Sequence, residues 1–327
     1  MDLYFCDQTI FAADMLGLRC MKEGKFMDIV VVGAGSVGML IASYLAEANE
    51  RVTLVVRRKE QAENLEKYGL VRKNIDGSLS KSRIRVAMNL ENISKDTLVI
   101  IAVKYGQLKE IYKQLQTLHV ETPLLFLQNG LAHFDEASML PQRTIAFGSC
   151  QFGAQRENNV TVIHRGQGVL KIAVEKGDSK QPFSIFSKSS NELFQVFFEN
   201  NAEKMLFEKA LLNCFVNPLT AILKVKNGML IENPQSLLLL ENLYKELKAA
   251  FPEEMTSVKF EDVKNLCRNT AENTSSMLGD FLYGRPTEIE TIVGAVLKRA
   301  RKKGKQCPTL QTLYSLILIM EGSGEMM

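Results

Sequence analysis

The chain has 327 residues, 46% hydrophobic and 24% charged, with 40 Lys+Arg against 37 Asp+Glu. That balance excludes disordered and fibrous classes, and the length suits two cores rather than one. The formal charge of +3 is too small an excess to predict nucleic acid or a membrane surface as a partner, and the longest apolar runs fall far short of the ~18 residues a membrane span needs.

The six cysteines (Cys6, Cys20, Cys150, Cys214, Cys267, Cys307) contain no CxxC pair, and His119, His133 and His164 share no ligand-like spacing. Reduced thiols, a cytoplasmic location and no metal are therefore expected. Residues 1–26 lack the basic start and cleavage site of a signal peptide. A strand pattern begins abruptly at Met27, and Lys22-Glu23-Gly24 can be encoded by a stretch resembling a bacterial ribosome-binding site. Residues 1–26 are expected to be a non-native or disordered leader, an ordinary N-terminal helix being the alternative.

From Met27 strands and helices alternate. Residues 28–32 read as an apolar strand, 33–38 as a glycine loop (GAGSVG), and the next segment as a helix with Met39, Leu40, Ala42, Leu45 and Ala46 on its apolar side. Strands are expected at 51–56, 97–103 and 123–127, and helices at 61–68 and 107–118. Apolar strands alternating with helices predict a parallel sheet covered on both faces. Residues 145–174 change to short alternating strands with glycine turns, expected antiparallel, and 177–190 read as the approach to a boundary. Beyond it 193–198, 203–216, 235–250, 260–269, 275–283, 288–303 and 310–320 all read as helices. The fold class expected is an α/β Rossmann-type dinucleotide-binding domain over 27–192, followed by an all-α C-terminal domain over 193–327.

A GxGxxG pattern is weak alone and stronger between a strand and a helix, which is its context here. Gly33 permits the tight turn, Gly35 lets backbone approach a pyrophosphate, and Gly38 allows close helix–strand packing. The helix N-terminus that follows this loop (Ala34, Ser36 and Val37 being its other residues) offers free N–H groups and a positive dipole end to the phosphates. An NAD site usually places an acid about 20 residues past the glycines. This chain has Val55-Val56-Arg57-Arg58-Lys59 there. A guanidinium suits a 2′-phosphate that a carboxylate would repel, so NADP(H) is expected, with a solvated cationic loop as the alternative. Two more strand ends carry polar groups, Lys104 and Asn129, and ligands of open α/β sheets bind outside such carboxyl ends.

In the helix over 203–216, Lys209, Asn213 and Asn217 fall at i, i+4 and i+8 among apolar neighbours. The stripe faces either a wet cleft or plain solvent, and Pro218 is expected to end or kink the helix. Ser275-Ser276 read as an N-cap cluster, Thr287 with Glu290 as a capping box, and Glu288 as a complement to the helix dipole. The six cations in 298–305 read as a solvated helix end.

From Met27 to about Leu318 the motifs GAGSVG (33–38), AVKYGQ (102–107), QNGL (128–131), EKALLNCFVNPLTAI (208–222), KNG (226–228), NTSSML (273–278) and GRPTEIE (284–290) resemble those of the ketopantoate reductase (2-dehydropantoate 2-reductase) family. The resemblance implies NADPH-dependent reduction of 2-dehydropantoate to (R)-pantoate in pantothenate and coenzyme A synthesis. It implies Lys209 as the catalytic lysine and Glu288 as an acid meeting cofactor and substrate. Asn129, Lys209, Asn213, Asn217, Asn227 and Ser276 would bind substrate. Gly33, Ala34, Gly35, Ser36, Val37, Gly38, Arg57, Lys104, Asn129, Ala154 and Glu288 would bind cofactor. Ala132, Gly279 and Val293 depart from the family pattern at positions without an assigned chemical role. The partner expected is a small 2-keto acid, a homodimer being open to the chain. The rival readings are a reductase of another 2-keto acid and a non-catalytic NADP(H)-binding protein. Closure about residues 177–191 would exclude water from the interdomain site.

Overall fold

The computed structural model describes residues 27–324 except Asn49 and Ser257, so the expected leader lies outside the described residues. β1 (Asp28–Val32) is a β-branched run whose last four residues are buried, as a central parallel strand requires. After it come α1 (Ser36–Glu47), β2 (Arg51–Val55), α2 (Lys59–Tyr68), β3 (Leu70–Lys73), β4 (Leu79–Ser82), β5 (Arg85–Ala87) and β6 (Leu98–Ile101). Then follow α3 (Leu108–Leu115), β7 (Leu124–Phe126), α4 (Phe134–Ser138), β8 (Ile145–Cys150), β9 (Gly153–Arg156), β10 (Thr161–Gly166), β11 (Gly168–Lys176), α5 (Ile185–Ser189) and β12 (Phe194–Glu199).

Eight strands form one sheet in the order β12-β11-β8-β7-β6-β1-β2-β5. Every neighbour from β5 to β8 is parallel; β11 is antiparallel to β8, and β12 parallel to β11. The chain leaves β1 toward β2 on one side and returns to β6 on the other. That reversal opens a crevice at the carboxyl ends of β1 and β6, the ligand position of doubly wound sheets. A second sheet, β4-β3-β10-β9, packs on α1.

The helical part holds α6 (Ala202–Leu223), α7 (Met229–Glu232), α8 (Pro234–Ala250), α9 (Phe260–Asn269), α10 (Ser276–Leu282), a π-helical turn at Glu290–Gly294, α11 (Ala295–Lys302) and α12 (Pro308–Gly324). α6 starts where the Asn201 side chain accepts the Lys204 N–H at 2.7 Å. Among the described residues α6 alone is long and apolar enough to cross a membrane, and most of it is buried in the fold as a core helix. One apolar cluster runs from Val30, Val99 and Phe126 of the sheet through Leu206, Phe207 and Phe215 of α6 to Leu310 and Ile317 of α12. The two lobes therefore share a core.

Several expectations need correction. Residues 193–198 form a strand, not a helix: Phe194–Glu199 pairs in parallel with β11, so the sheet extends past the boundary expected at 192. A short apolar run does not reveal its state by periodicity, and here sheet pairing decides it. Residues 177–190, expected as the approach to the boundary, lie inside the sheet domain: they form the crossover between β11 and β12 and bury Phe183, Ile185 and Phe186. Pro218 lies inside α6 instead of ending it, and the Thr220 hydroxyl donates to the Val216 and Asn217 carbonyls beside it. No capping box joins Thr287 and Glu290. The Glu290 carboxylate takes the Tyr314 hydroxyl at 2.5 Å, while Thr287 Oγ1 accepts the Ile289 N–H at 3.3 Å. The strands β3, β4 and β5 and the second sheet were not expected.

Candidate active site

The glycine loop leaves β1 with Gly33 at φ +108°, its N–H donating to the Val55 carbonyl at 3.0 Å. A Cβ at Gly38 would stand 1.9 Å from the Gly33 carbonyl oxygen, so only glycine lets α1 start this close to the strand. Gly35 faces open space, and the first intrahelical bond is Met39 N–H to the Gly35 carbonyl. The N–H groups of Ser36, Val37 and Gly38 therefore have no intrahelical acceptor and suit a pyrophosphate. Arg57 is exposed just beyond β2, and no carboxylate pairs with it among the described residues. Arg58 donates to neutral groups, Gln61 Oε1 at 3.2 Å and Asn159 Oδ1 at 2.9 Å.

Farther along the same edge, three side chains from three distant segments join. Lys209 Nζ, from α6, donates to Asn129 Oδ1 at 2.7 Å and to the Cys150 carbonyl at 2.6 Å. Asn129 Nδ2 donates to Glu288 Oε2 at 2.9 Å. An ammonium only donates and a carboxylate only accepts, so the two ends dictate which way the amide points. Lys209 is half-buried, and desolvation lowers its pKa; the Cys150 thiol and the Glu288 carboxylate push it back up. Burial raises the pKa of Glu288, partly opposed by the Asn129 hydrogen bond and the charge of Lys104. An amide thus links an amine whose pKa burial lowers to a carboxyl group whose pKa burial raises.

The sheet is docked on the helical part at this point. Gly130 has φ +78°, a Cβ there would lie 2.0 Å from the Thr291 carbonyl oxygen, and the Leu131 N–H donates to that oxygen at 3.0 Å. This contact sets the separation of Asn129 and Glu288. Lys104, in the loop after β6, pairs with Asp280 of α10 at 2.7 Å, and Asp280 also takes Arg285 at 3.1 Å.

The remaining expected residues make no hydrogen bond to this centre among the described residues. Asn213 and Asn217 lie on α6 in the register of Lys209, and no hydrogen bond of their side-chain amides is found among the described residues. Ser276 is exposed at the start of α10. Asn227 is buried, donates to Thr270 Oγ1 at 2.9 Å, and keeps a buried Oδ1 without a partner. Ala154 sits on β9, whose end meets α1. Three participants were missed by sequence reasoning: the Cys150 carbonyl, Asp280, and Thr220, whose hydroxyl meets the Ser275 hydroxyl at 2.7 Å and ties α6 to α10. A backbone carbonyl leaves no signal in residue type. Asp280 had one, as the lone acid of its helix.

A model of the ketopantoate reductase PanE/ApbA family matches residues 29–177, and one of its C-terminal domain matches residues 201–321. The 2-dehydropantoate 2-reductase of Listeria monocytogenes serovar 1/2a is 38% identical over 302 residues, 91% of this chain and 98% of that protein. The chain belongs to the ketopantoate reductase family. The 2-dehydropantoate 2-reductase of Bacillus subtilis (strain 168) is 32% identical over 296 residues, 90% of this chain and 98% of that protein. The crystal structure of a PanE/ApbA family ketopantoate reductase from Ralstonia eutropha JMP134 superposes with a TM-score of 0.80 at 22% identity. It covers 91% of this chain and 100% of that chain, which establishes the shared fold. As a member of the ketopantoate reductase family the protein is an oxidoreductase that acts with a nicotinamide dinucleotide, and the open glycine cradle fits that cofactor.

Proposed function

We propose that the protein reduces 2-dehydropantoate to (R)-pantoate with NADPH. The observation that carries this reading is the hydrogen-bonded chain from Lys209 through Asn129 to Glu288, beside the carboxyl ends of β6, β7 and β8. NADPH, when bound, supplies the hydride that reduces the keto carbon. The glycine loop would hold its pyrophosphate, Arg57 its 2′-phosphate, and Lys104 and Asn129 the nicotinamide side.

Negative charge develops on the keto oxygen during reduction, and the Lys209 ammonium stabilises it and gives it a proton. Glu288, held by Asn129, favours the protonated lysine electrostatically, so the proton is present when needed. Asn213 and Asn217, whose amides have no hydrogen-bond partner among the described residues, would hold substrate oxygens, with Ser276 and Asn227 beside them. The cytoplasm is the proposed location, in keeping with the free state of Cys150, Cys214, Cys267 and Cys307.

NADPH oxidation, followed by its near-ultraviolet absorbance as ketopantoate and close analogues are offered in turn, tests the assignment. Ketopantoate should give the highest kcat/KM. A stronger preference for another 2-keto acid would replace the substrate while keeping the chemistry, and no oxidation with any of them would overturn the enzymatic reading. Arg57→Ala should weaken NADPH while sparing NADH, which parallel titrations of the two nucleotides measure.

A further inference from the structure

We propose that Arg156, at the end of β9, is a further ligand of the dinucleotide's pyrophosphate and reaches over the glycine loop from the second sheet. The inference rests on the dinucleotide reading of that loop and is independent of which keto acid is reduced.

Its backbone is placed directly. The Arg156 N–H donates to Ser36 Oγ at 3.0 Å, and Ser36 is the first residue of the helix whose free N–H groups face the open space at Gly35. The far side of the β9–β10 turn is tied to the same loop. Gln61, buried, donates from Nε2 to the Ala34 carbonyl and to the Asn159 carbonyl, each at 3.2 Å. Arg58 reaches Asn159 Oδ1 at 2.9 Å, and the Asn159 amide donates to Glu60 of α2 at 3.0 Å; the turn's own carboxylate, Glu157, is exposed. The hairpin that carries Arg156 is therefore a fixed wall of the crevice.

The Arg156 guanidinium itself is uncommitted. It is exposed and has no ion pair or side-chain hydrogen bond among the described residues. The cations Arg58 and Arg285 lie near enough to act on its charge. Partial burial first, and then those two charges, hold its pKa below the usual arginine value. Arg58 is bonded only to neutral groups, and the carboxylate that serves Arg285, Asp280, is already shared with Lys104. Arg156 and Arg58, which have no carboxylate partner among the described residues, repel one another and the Asp280-paired Arg285, and a bound phosphate group reverses the sign of that interaction. Arg156 sits with Ser36 at the helix start, whereas Arg57 follows β2. That division assigns Arg156 to the pyrophosphate and leaves the 2′-phosphate to Arg57.

The test is nucleotide binding without keto acid. Wild type, Arg156→Gln and Arg57→Gln are titrated with NADPH and with NADH by calorimetry, alongside melting of each nucleotide-free protein. A lost charge-assisted hydrogen bond of about 1.5–3 kcal/mol corresponds to roughly tenfold or more in affinity. Arg156→Gln should weaken both nucleotides by that factor alike, with the nucleotide-free melting temperature unchanged, whereas Arg57→Gln should weaken NADPH selectively. Arg156→Lys, which keeps the charge but not the fork, should fall between. Unchanged affinity for both nucleotides, or a loss confined to NADPH, would overturn the assignment. Failure of the wild type to bind either nucleotide would instead refute the cofactor reading beneath it.

Discussion

Lys209 is held between two opposed influences: desolvation favours its neutral form, and Cys150 and Glu288 favour the ammonium. Because the ammonium is the proton donor, kcat/KM should fall as pH rises through the lowered lysine pKa. Replacing Glu288 by Gln removes a negative charge that raises that pKa. The lysine then loses its proton at lower pH, and the alkaline limb of the pH profile should move down; a limb that stays in place would contradict the coupling. Removing the amine altogether, in Lys209→Ala, should cut kcat by at least ~10²-fold while NADPH affinity changes little, measured by steady-state kinetics and nucleotide titration. Near-normal turnover would end the assignment of Lys209 as proton donor. Asn129 belongs with this pair, since its amide presents an acceptor to one partner and a donor to the other.

The π-helical turn at Glu290–Gly294 and the QNGL loop after β7 act as one joint. π-turns are rare within helices and recur at functional sites, where the extra residue re-aims its neighbours. Here the turn presents the Thr291 carbonyl to the Leu131 N–H, and the approach is close enough that only glycine fits at position 130. Gly130→Ala would add a left-handed-backbone penalty of ~1 kcal/mol and force the turn away from the loop. The outcome should be a lower melting temperature, and a fall in kcat greater than any loss of NADPH affinity, because the displacement separates Asn129 from Glu288. Equal kcat in the variant would show that this joint does not set the site. Val293, a departure from the family pattern, is fully buried in the same turn, so its effect is on packing.

Across the whole molecule, the core shared by sheet and helices predicts that the two lobes unfold together, as a single calorimetric transition. Within that core lies His133, buried against Phe126 and Phe147, with neither ring nitrogen partnered and its pKa pushed down to about 3 by burial. The folded protein keeps this ring neutral, whereas the unfolded chain takes up a proton below about pH 6.5. Its contribution to stability is therefore complete above that pH and is lost progressively as pH falls toward the folded value, by up to about 1.4 kcal/mol per unit. His133→Phe should flatten the fall in melting temperature between about pH 7 and about pH 5 without lowering it at neutral pH. An unchanged slope would show that other groups control the acid response.

What could be read along the chain was local. The glycine loop, the strand ends at Lys104 and Asn129, and the Lys209-Asn213-Asn217 stripe all rest on short spacings and on fixed helical or strand periods. These survive folding because backbone geometry alone enforces them. Whether the stripe faced solvent or a cleft was not legible, since periodicity reports a face and not its neighbour. Residues 193–198 are ambiguous for the same reason: a largely apolar hexamer fits a helix or a strand until β11 offers its edge. The bond from Lys209 to Asn129 spans 80 positions and that from Asn129 to Glu288 spans 159. Neither separation is encoded in a pattern, because it is the packing of a sheet edge on a buried helix that decides which distant polar groups become partners.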